Sequence, residues 1–197
     1  IFNPALIGRA FLLASWPVFM TKWSWPIIQA SWIPEFDAVT TATPLVLMKD
    51  MGIKAPYANL FFGQVAGCIG ETSALAILIG AAYLIYRGHI NLRIPLSFIG
   101  TVAVLTALFG QDPLFHILAG GLLLGAFFMA TDYVTSPVTP KGQIIYGVGC
   151  GILVALIRLY GGYPEGTCYA ILIMNAATAL IERYSIPRKF GEVKRVA

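Results

Sequence analysis

Apolar runs punctuated by short clusters of Pro, Gly and charge organise this sequence from end to end. A helix needs about 20 consecutive apolar residues to cross a hydrocarbon core, and six stretches approach that length, at approximately 4–20, 58–86, 94–110, 114–131, 143–160 and 167–183. The pattern predicts an all-α polytopic membrane protein with about six transmembrane segments, forming a single membrane domain over 1–197. The second stretch is longer than one span and carries Gly63, Gly67 and Gly70 ahead of the polar run Glu71-Thr72-Ser73. A tilt or an interruption near Gly70 is the natural accommodation.

Composition agrees with this reading. Of 197 residues, 58% are hydrophobic and 11% are charged, against about 25% charged in an ordinary soluble domain. The net charge is +4, but the basic residues sit at the ends of apolar segments, where they report orientation; the pattern points to a lipid bilayer as partner and not to nucleic acid. The chain opens at Ile1 and enters the apolar run 5–13 at once, so it reads as the C-terminal part of a longer protein.

If every segment crosses, Arg87, Arg93, Lys141, Arg183, Arg188, Lys189, Lys194 and Arg195 fall on one side. That side is expected to be the cytoplasm, with the C-terminus. The loop 21–57, the Gln111-Asp112 turn and the turn at 161–166 then lie outside. Trp16, Trp23, Trp25 and Trp32 gather near the outer end of the first segment, as interfacial aromatics do.

Polar residues within apolar segments need reasons. A charge at the bilayer centre costs about 2.5–3.5 kcal/mol on insertion scales, so Glu71 is expected to face the protein interior. Two readings stand: Glu71 and Thr72 contact an ion or a cofactor, or residues 71–73 cap a half-helix after Gly70. Asp132 precedes a Pro- and Gly-containing turn, and Glu165 lies in the outer turn Tyr163-Pro164-Glu165-Gly166. Both are candidates for ion access on opposite faces, with loop pinning as the more ordinary role. Arg158 can snorkel to the interface or pair with Glu165. The glycines at 120, 121, 125, 147, 149 and 151 suit close helix approach. Cys68, Cys150 and Cys168 have no paired spacing and read as small buried side chains; His89 and His116 belong to no recognisable metal cluster.

Within the outer loop the run Asp37-Ala38-Val39-Thr40-Thr41-Ala42-Thr43-Pro44 sets a cluster of threonines and small residues downstream of an acid. It resembles the flavinylation signature of the RnfD and NqrB family, in which an Asp is followed by Ser/Thr-Gly/Ser-Ala-Thr and the last hydroxyl carries FMN through a phosphoester. The resemblance extends to Asn3-Pro4, Gly70-Glu71-Thr72-Ser73, Thr131-Asp132, Lys141-Gly142 and the turn at 163–166, and it is closer to the RnfD branch.

This likeness implies Thr43 as the site of covalent FMN, with Asp37, Thr40, Thr41 and Ala42 around it. Thr41 stands where the family usually has Gly, so three hydroxyls compete and register with Ala42 selects Thr43. A flavin transferase must bring one hydroxyl into line with the pyrophosphate of FAD, which small neighbours permit. Pro44 favours an extended, presented Thr43. The resemblance also implies a urea-transporter-like helical bundle with inverted repeats, in a bacterial or archaeal cytoplasmic membrane. It implies electron relay in an ion-translocating ferredoxin:NAD oxidoreductase coupled to Na⁺ or H⁺, beside RnfG, RnfA, RnfB, RnfC and RnfE, with riboflavin as a second flavin. The alternatives are an NqrB-type subunit of a Na⁺-translocating NADH:quinone oxidoreductase and a non-redox channel or transporter of the same fold.

Overall fold

The computed structural model describes residues 2–21, 23, 42–68, 70–161 and 166–186. The regular elements among these are helical. α1 (Pro4–Ser15) starts where Asn3 Oδ1 accepts the N–H groups of Ala5 and Leu6 at 3.0 and 3.4 Å and Pro4 fills the first position. Pro17 opens a separate short helix, α2 (Pro17–Met20), so the first apolar stretch is divided. α3 (Pro44–Met51) likewise begins at a proline and ends at Gly52 in the left-handed region.

The second apolar stretch is broken as its glycines suggest. α4 (Tyr57–Phe62) stops at Gly63, whose φ of 90° suits glycine, and α5 (Ala74–Tyr86) restarts where Ser73 Oγ accepts the Ala76 N–H at 3.3 Å. The interruption runs from Gly63 to Ser73 and is wider than a kink at Gly70. The fourth stretch is also broken, which the segment pattern does not anticipate. α7 (Pro113–Leu118) ends at Ala119, Gly120 takes φ 70°, and α8 (Leu122–Leu124) runs into a π-helical turn at Gly125–Met129. Adjacent glycines in mid-segment are the sequence signal for this break.

α6 (Arg93–Leu108), α9 (Pro140–Tyr160) and α10 (Thr167–Ser185) are continuous and close to their expected bounds. Thr139 Oγ1 caps α9 by accepting the Gly142 N–H at 3.1 Å. Of the helices formed by described residues, α9 alone is long and apolar enough to cross a bilayer by itself. α6 and α9 meet closely: a Cβ on Gly151 would lie 2.6 Å from Thr101 Cβ and 2.9 Å from the Phe98 carbonyl oxygen, and one on Gly147 would lie 2.9 Å from the Ile94 carbonyl. The glycines therefore serve the close approach expected of them.

Three apolar clusters result. The largest joins α1, α6, α8, α9 and α10 through Leu6, Phe98, Val102, Leu122, Tyr146 and Ile171. A second ties α3 to α4 and α7 through Leu45, Leu60, Phe115 and Ala119, and a third packs α5 on α8. Large apolar side chains also point outward, among them Phe11, Ile79, Leu96, Val104 and Leu108. An apolar outer surface on helices that satisfy their own backbone is the arrangement a lipid environment selects.

Candidate functional site

Thr43 stands at the N-cap of α3 with φ −65° and ψ 157°, the extended geometry that Pro44 imposes on its predecessor. The side chain is only 5% exposed, so it is presented to the protein interior and not to solvent. The reason is tertiary: α4 and α7 close over the start of α3 through Leu60 and the α7 end. An N-cap threonine ordinarily accepts a backbone N–H of the first turn. Thr43 makes no such bond, and its hydroxyl has no partner among the described residues. A buried hydroxyl left unpaired costs roughly 1–3 kcal/mol, so this one is not explained by capping.

Thr43 borders a cavity of about 20 Å³ shared with Glu71, Thr72, Gly67 and Gly120. Residues from both broken segments therefore meet at the start of α3. Thr72 is half-buried there, and Ala42, also half-buried, immediately precedes Thr43. Glu71 is 8% exposed and forms an ion pair with Arg9 of α1. Its carboxylate lies against the second break: a Cβ on Gly121 would come within 2.9 Å of the Glu71 carboxyl carbon. Arg9 is the residue that reading along the chain passes over. A guanidinium inside the apolar run 5–13 is itself a signal that a partner exists. On the far side of Glu71 a cavity of about 10 Å³ is bordered by Arg9, Gly121, Thr167 and Cys168, and the Thr167 hydroxyl is buried with no partner among the described residues.

Capping of α5 falls to Ser73, not to Glu71. Asp132 lies elsewhere, in the turn after the π-helical segment, where its carboxylate accepts Thr135 Oγ1 at 3.1 Å and the Val134 N–H at 3.5 Å. It pins that turn. Asp37, Thr40, Thr41 and Glu165 lie outside the described residues, as do Trp25 and Trp32.

Arg158 does not snorkel. It is 3% exposed and donates to the carbonyls of His116 and Ala119, the latter at 3.2 Å. Breaking α7 at Ala119 frees carbonyl groups that lipid cannot satisfy, and an inward guanidinium supplies the donors. A pairing with Glu165 falls outside the described residues. Cys150 and Cys168 are buried and Cys68 is half-buried.

Residues 1–191 match the family described as NQR2, RnfD, RnfE. The chain is 56% identical over 196 residues to the D subunit of the Na(+)-translocating ferredoxin:NAD(+) oxidoreductase complex of Acetobacterium woodii, covering 98% of this chain and 59% of that protein. It is 53% identical over 208 residues to the D subunit of the proton-translocating ferredoxin:NAD(+) oxidoreductase complex of Clostridium ljungdahlii, covering 97% and 61%. To the D subunit of the ion-translocating oxidoreductase complex of Halorhodospira halophila it is 37% identical over 227 residues, covering 98% and 64%. The chain spans about three fifths of the length of these curated relatives.

Proposed function

Because the chain belongs to the NQR2, RnfD, RnfE family, we propose that it is part of the D subunit of an ion-translocating ferredoxin:NAD oxidoreductase and relays electrons through FMN esterified to Thr43. The observation that carries this reading is the buried hydroxyl of Thr43, with no partner among the described residues, at the first turn of α3. A phosphoester there would meet the positive end of an eight-residue helix, with the N–H groups of Leu45 and Val46 unclaimed by helix geometry. The residues present thus fit the phosphate of the group. FMN would supply one- and two-electron transfer. The chain's own part is to hold the phosphate at α3, leave room along the glycines of the two breaks, and keep Glu71 charge-paired by Arg9. Because the cavity before Thr43 has only water-sized room, esterification must displace part of its wall.

The remaining parts of the proposal follow from the family. Electrons arrive from RnfG and the relay works beside RnfA, RnfB, RnfC and RnfE in the cytoplasmic membrane, with the Thr43 loop outside and a flavin transferase loading it there. Riboflavin as a second flavin remains part of the reading. The coupling ion is Na⁺ or H⁺: the relatives at 56% and 53% identity carry names that differ in the ion, so overall similarity does not choose between them. Six crossings, two of them assembled from the half-helix pairs α4/α5 and α7/α8, would give the urea-transporter-like bundle.

Those broken segments also favour a second reading, a non-redox transporter, because interrupted helices commonly build membrane binding sites. A visible spectrum of the denatured, washed full-length protein, coexpressed with a flavin transferase, separates the two. Flavin absorbance that stays with the polypeptide is expected, and a colourless polypeptide would leave the transporter reading.

A further inference from the structure

Arg158 meets α3 and α7 at once. Its guanidinium donates to the carbonyls of His116 and Ala119, the latter at 3.2 Å, and so fixes the last turn of α7 and the residue before Gly120. Carbonyls at a helix end lack intrahelical partners, and one planar fork takes up two of them. The main-chain carbonyl of Arg158 in turn accepts the ammonium of Lys49 on α3 at 3.5 Å, as does that of Gly161.

Gly120 is the next link. Its φ of 70° carries the chain out of α7. A Cβ at this position would lie 2.7 Å from Leu45 Cδ1 and 3.4 Å from Arg158 Nη2, so the bare backbone of Gly120 is the seat on which Leu45 rests, with the guanidinium at its edge. Leu45 is buried with Phe115 and Ala119 of the α7 end. It belongs to the first turn of α3, whose N-cap is Thr43. Thr43 and Gly120 also border the same small cavity.

We infer that Arg158 is a positioning residue for Thr43: by holding the α7 carbonyls it sets Gly120, and Gly120 sets the first turn of α3 through Leu45. The inference rests on the proposal that Thr43 carries FMN, and it gives that site a determinant on another helix. Esterification needs one hydroxyl held in line with the incoming phosphate, and a first turn free to shift loses that alignment. The role belongs to the fork and not to the charge alone. A lysine keeps the cation but replaces fixed, divergent donors with a point charge.

The test uses the full-length protein purified with its complex, produced with and without a flavin transferase. Arg158→Lys removes the fork, and Gly120→Ala presses on Leu45 while the guanidinium stays. Tyr146→Phe is the control, removing the buried bond from Tyr146 to Asn175 in the first half of α9. Monodispersity and melting temperature confirm that each variant folds, and Gly120→Ala carries the comparison if Arg158→Lys does not. Without the transferase, hydrogen exchange at the α3 amides is expected to be about tenfold faster in Arg158→Lys than in wild type, faster also in Gly120→Ala, and unchanged in Tyr146→Phe. With the transferase, the share of molecules with FMN on Thr43 is expected to fall in Arg158→Lys and Gly120→Ala, and the midpoint potential of the flavin that remains is expected to shift. Tyr146→Phe should lower the melting temperature and leave both flavin readouts at wild-type values.

Exchange and flavin readouts that match wild type, or that change only as far as in Tyr146→Phe, overturn the positioning role. Faster α3 exchange with flavin share and potential unchanged overturns it as well. A wild type without covalent flavin removes the Thr43 proposal instead. The exchange measurement then decides by itself: faster exchange in both variants keeps Arg158 as the residue that sets α3, and unchanged exchange removes it.

Discussion

Between α6 and α9 two unbroken helices meet through Gly147 and Gly151, with Phe98 and Val102 fully buried beside them. Across the molecule α4/α5 and α7/α8 are each interrupted in mid-segment, and there Thr43, Glu71, His116 and Arg158 collect. The difference follows from how each region satisfies its backbone. A continuous helix pairs its own N–H and C=O groups, so its faces are free to be apolar and small. A broken helix exposes groups that demand polar side chains in an apolar medium, as Arg158 does for the α7 carbonyls. Thr43 and His116 there keep buried polar atoms with no partner among the described residues, as Gln143 and Asn175 also do on the unbroken α9 and α10.

Overpacking the continuous region gives the largest expected effect. Gly151→Leu forces a side chain into Thr101 and the Phe98 carbonyl and is expected to cost about 3 kcal/mol, measured by thermal or denaturant unfolding in mild detergent. Flavin per folded molecule is expected to stay constant. Flavin loss without loss of stability would erase the distinction between the two regions.

Next comes the ion pair. Glu71→Gln removes the pairing of Glu71 with Arg9, and because the Arg9 side chain is 24% exposed and that of Glu71 6%, the expected cost is about 2 kcal/mol, below that of a fully buried pair. A double-mutant cycle with Arg9→Met should recover a coupling energy. In vesicles, ferredoxin-driven NAD reduction and ion uptake are expected to fall together. Loss of uptake with electron flow retained would instead make Glu71 an ion-coupling group.

The smallest effect is at the α6–α7 turn, which marks the edge of the broken region. Asp112 caps α7 by accepting the Leu114 and Phe115 N–H groups. Its carboxyl is held below the usual range chiefly by the Tyr57 hydroxyl, with those N–H groups and Lys54 assisting. A lowered folded pKa means that this stabilisation is present above the unfolded value, near 3.9, and is lost as pH falls through the lower folded value. Asp112→Ala should cost about 1 kcal/mol at neutral pH. Asp112→Asn, which keeps an acceptor, should cost less and flatten the acid limb of a stability–pH curve. An unchanged acid limb would place the carboxylate outside the cap.

Much of this was legible along the chain, for identifiable reasons. Pro140 and Thr139 mark the start of α9, and the glycines and Ser73 mark the first break, because caps and breakers act locally. The break at Gly120 was less visible, since adjacent glycines serve both close packing and interruption. Pro44 announces that Thr43 is extended, but its burial depends on α4 and α7 arriving from elsewhere. The Arg9–Glu71 pair joins residues 62 positions apart, and the inward course of Arg158 is set by carbonyls 42 and 39 positions earlier. Such pairings belong to tertiary structure, and no local pattern specifies the partner.

Thr43, at the start of α3 in the broken-helix region, is the proposed flavin attachment point. Peptide mass spectrometry of the full-length protein, coexpressed with a flavin transferase, tests this. An FMN increment on Thr43 is expected, abolished by Thr43→Val while the protein still folds. An increment on Thr40 or Thr41, or a fully loaded Thr43→Val variant, would contradict it.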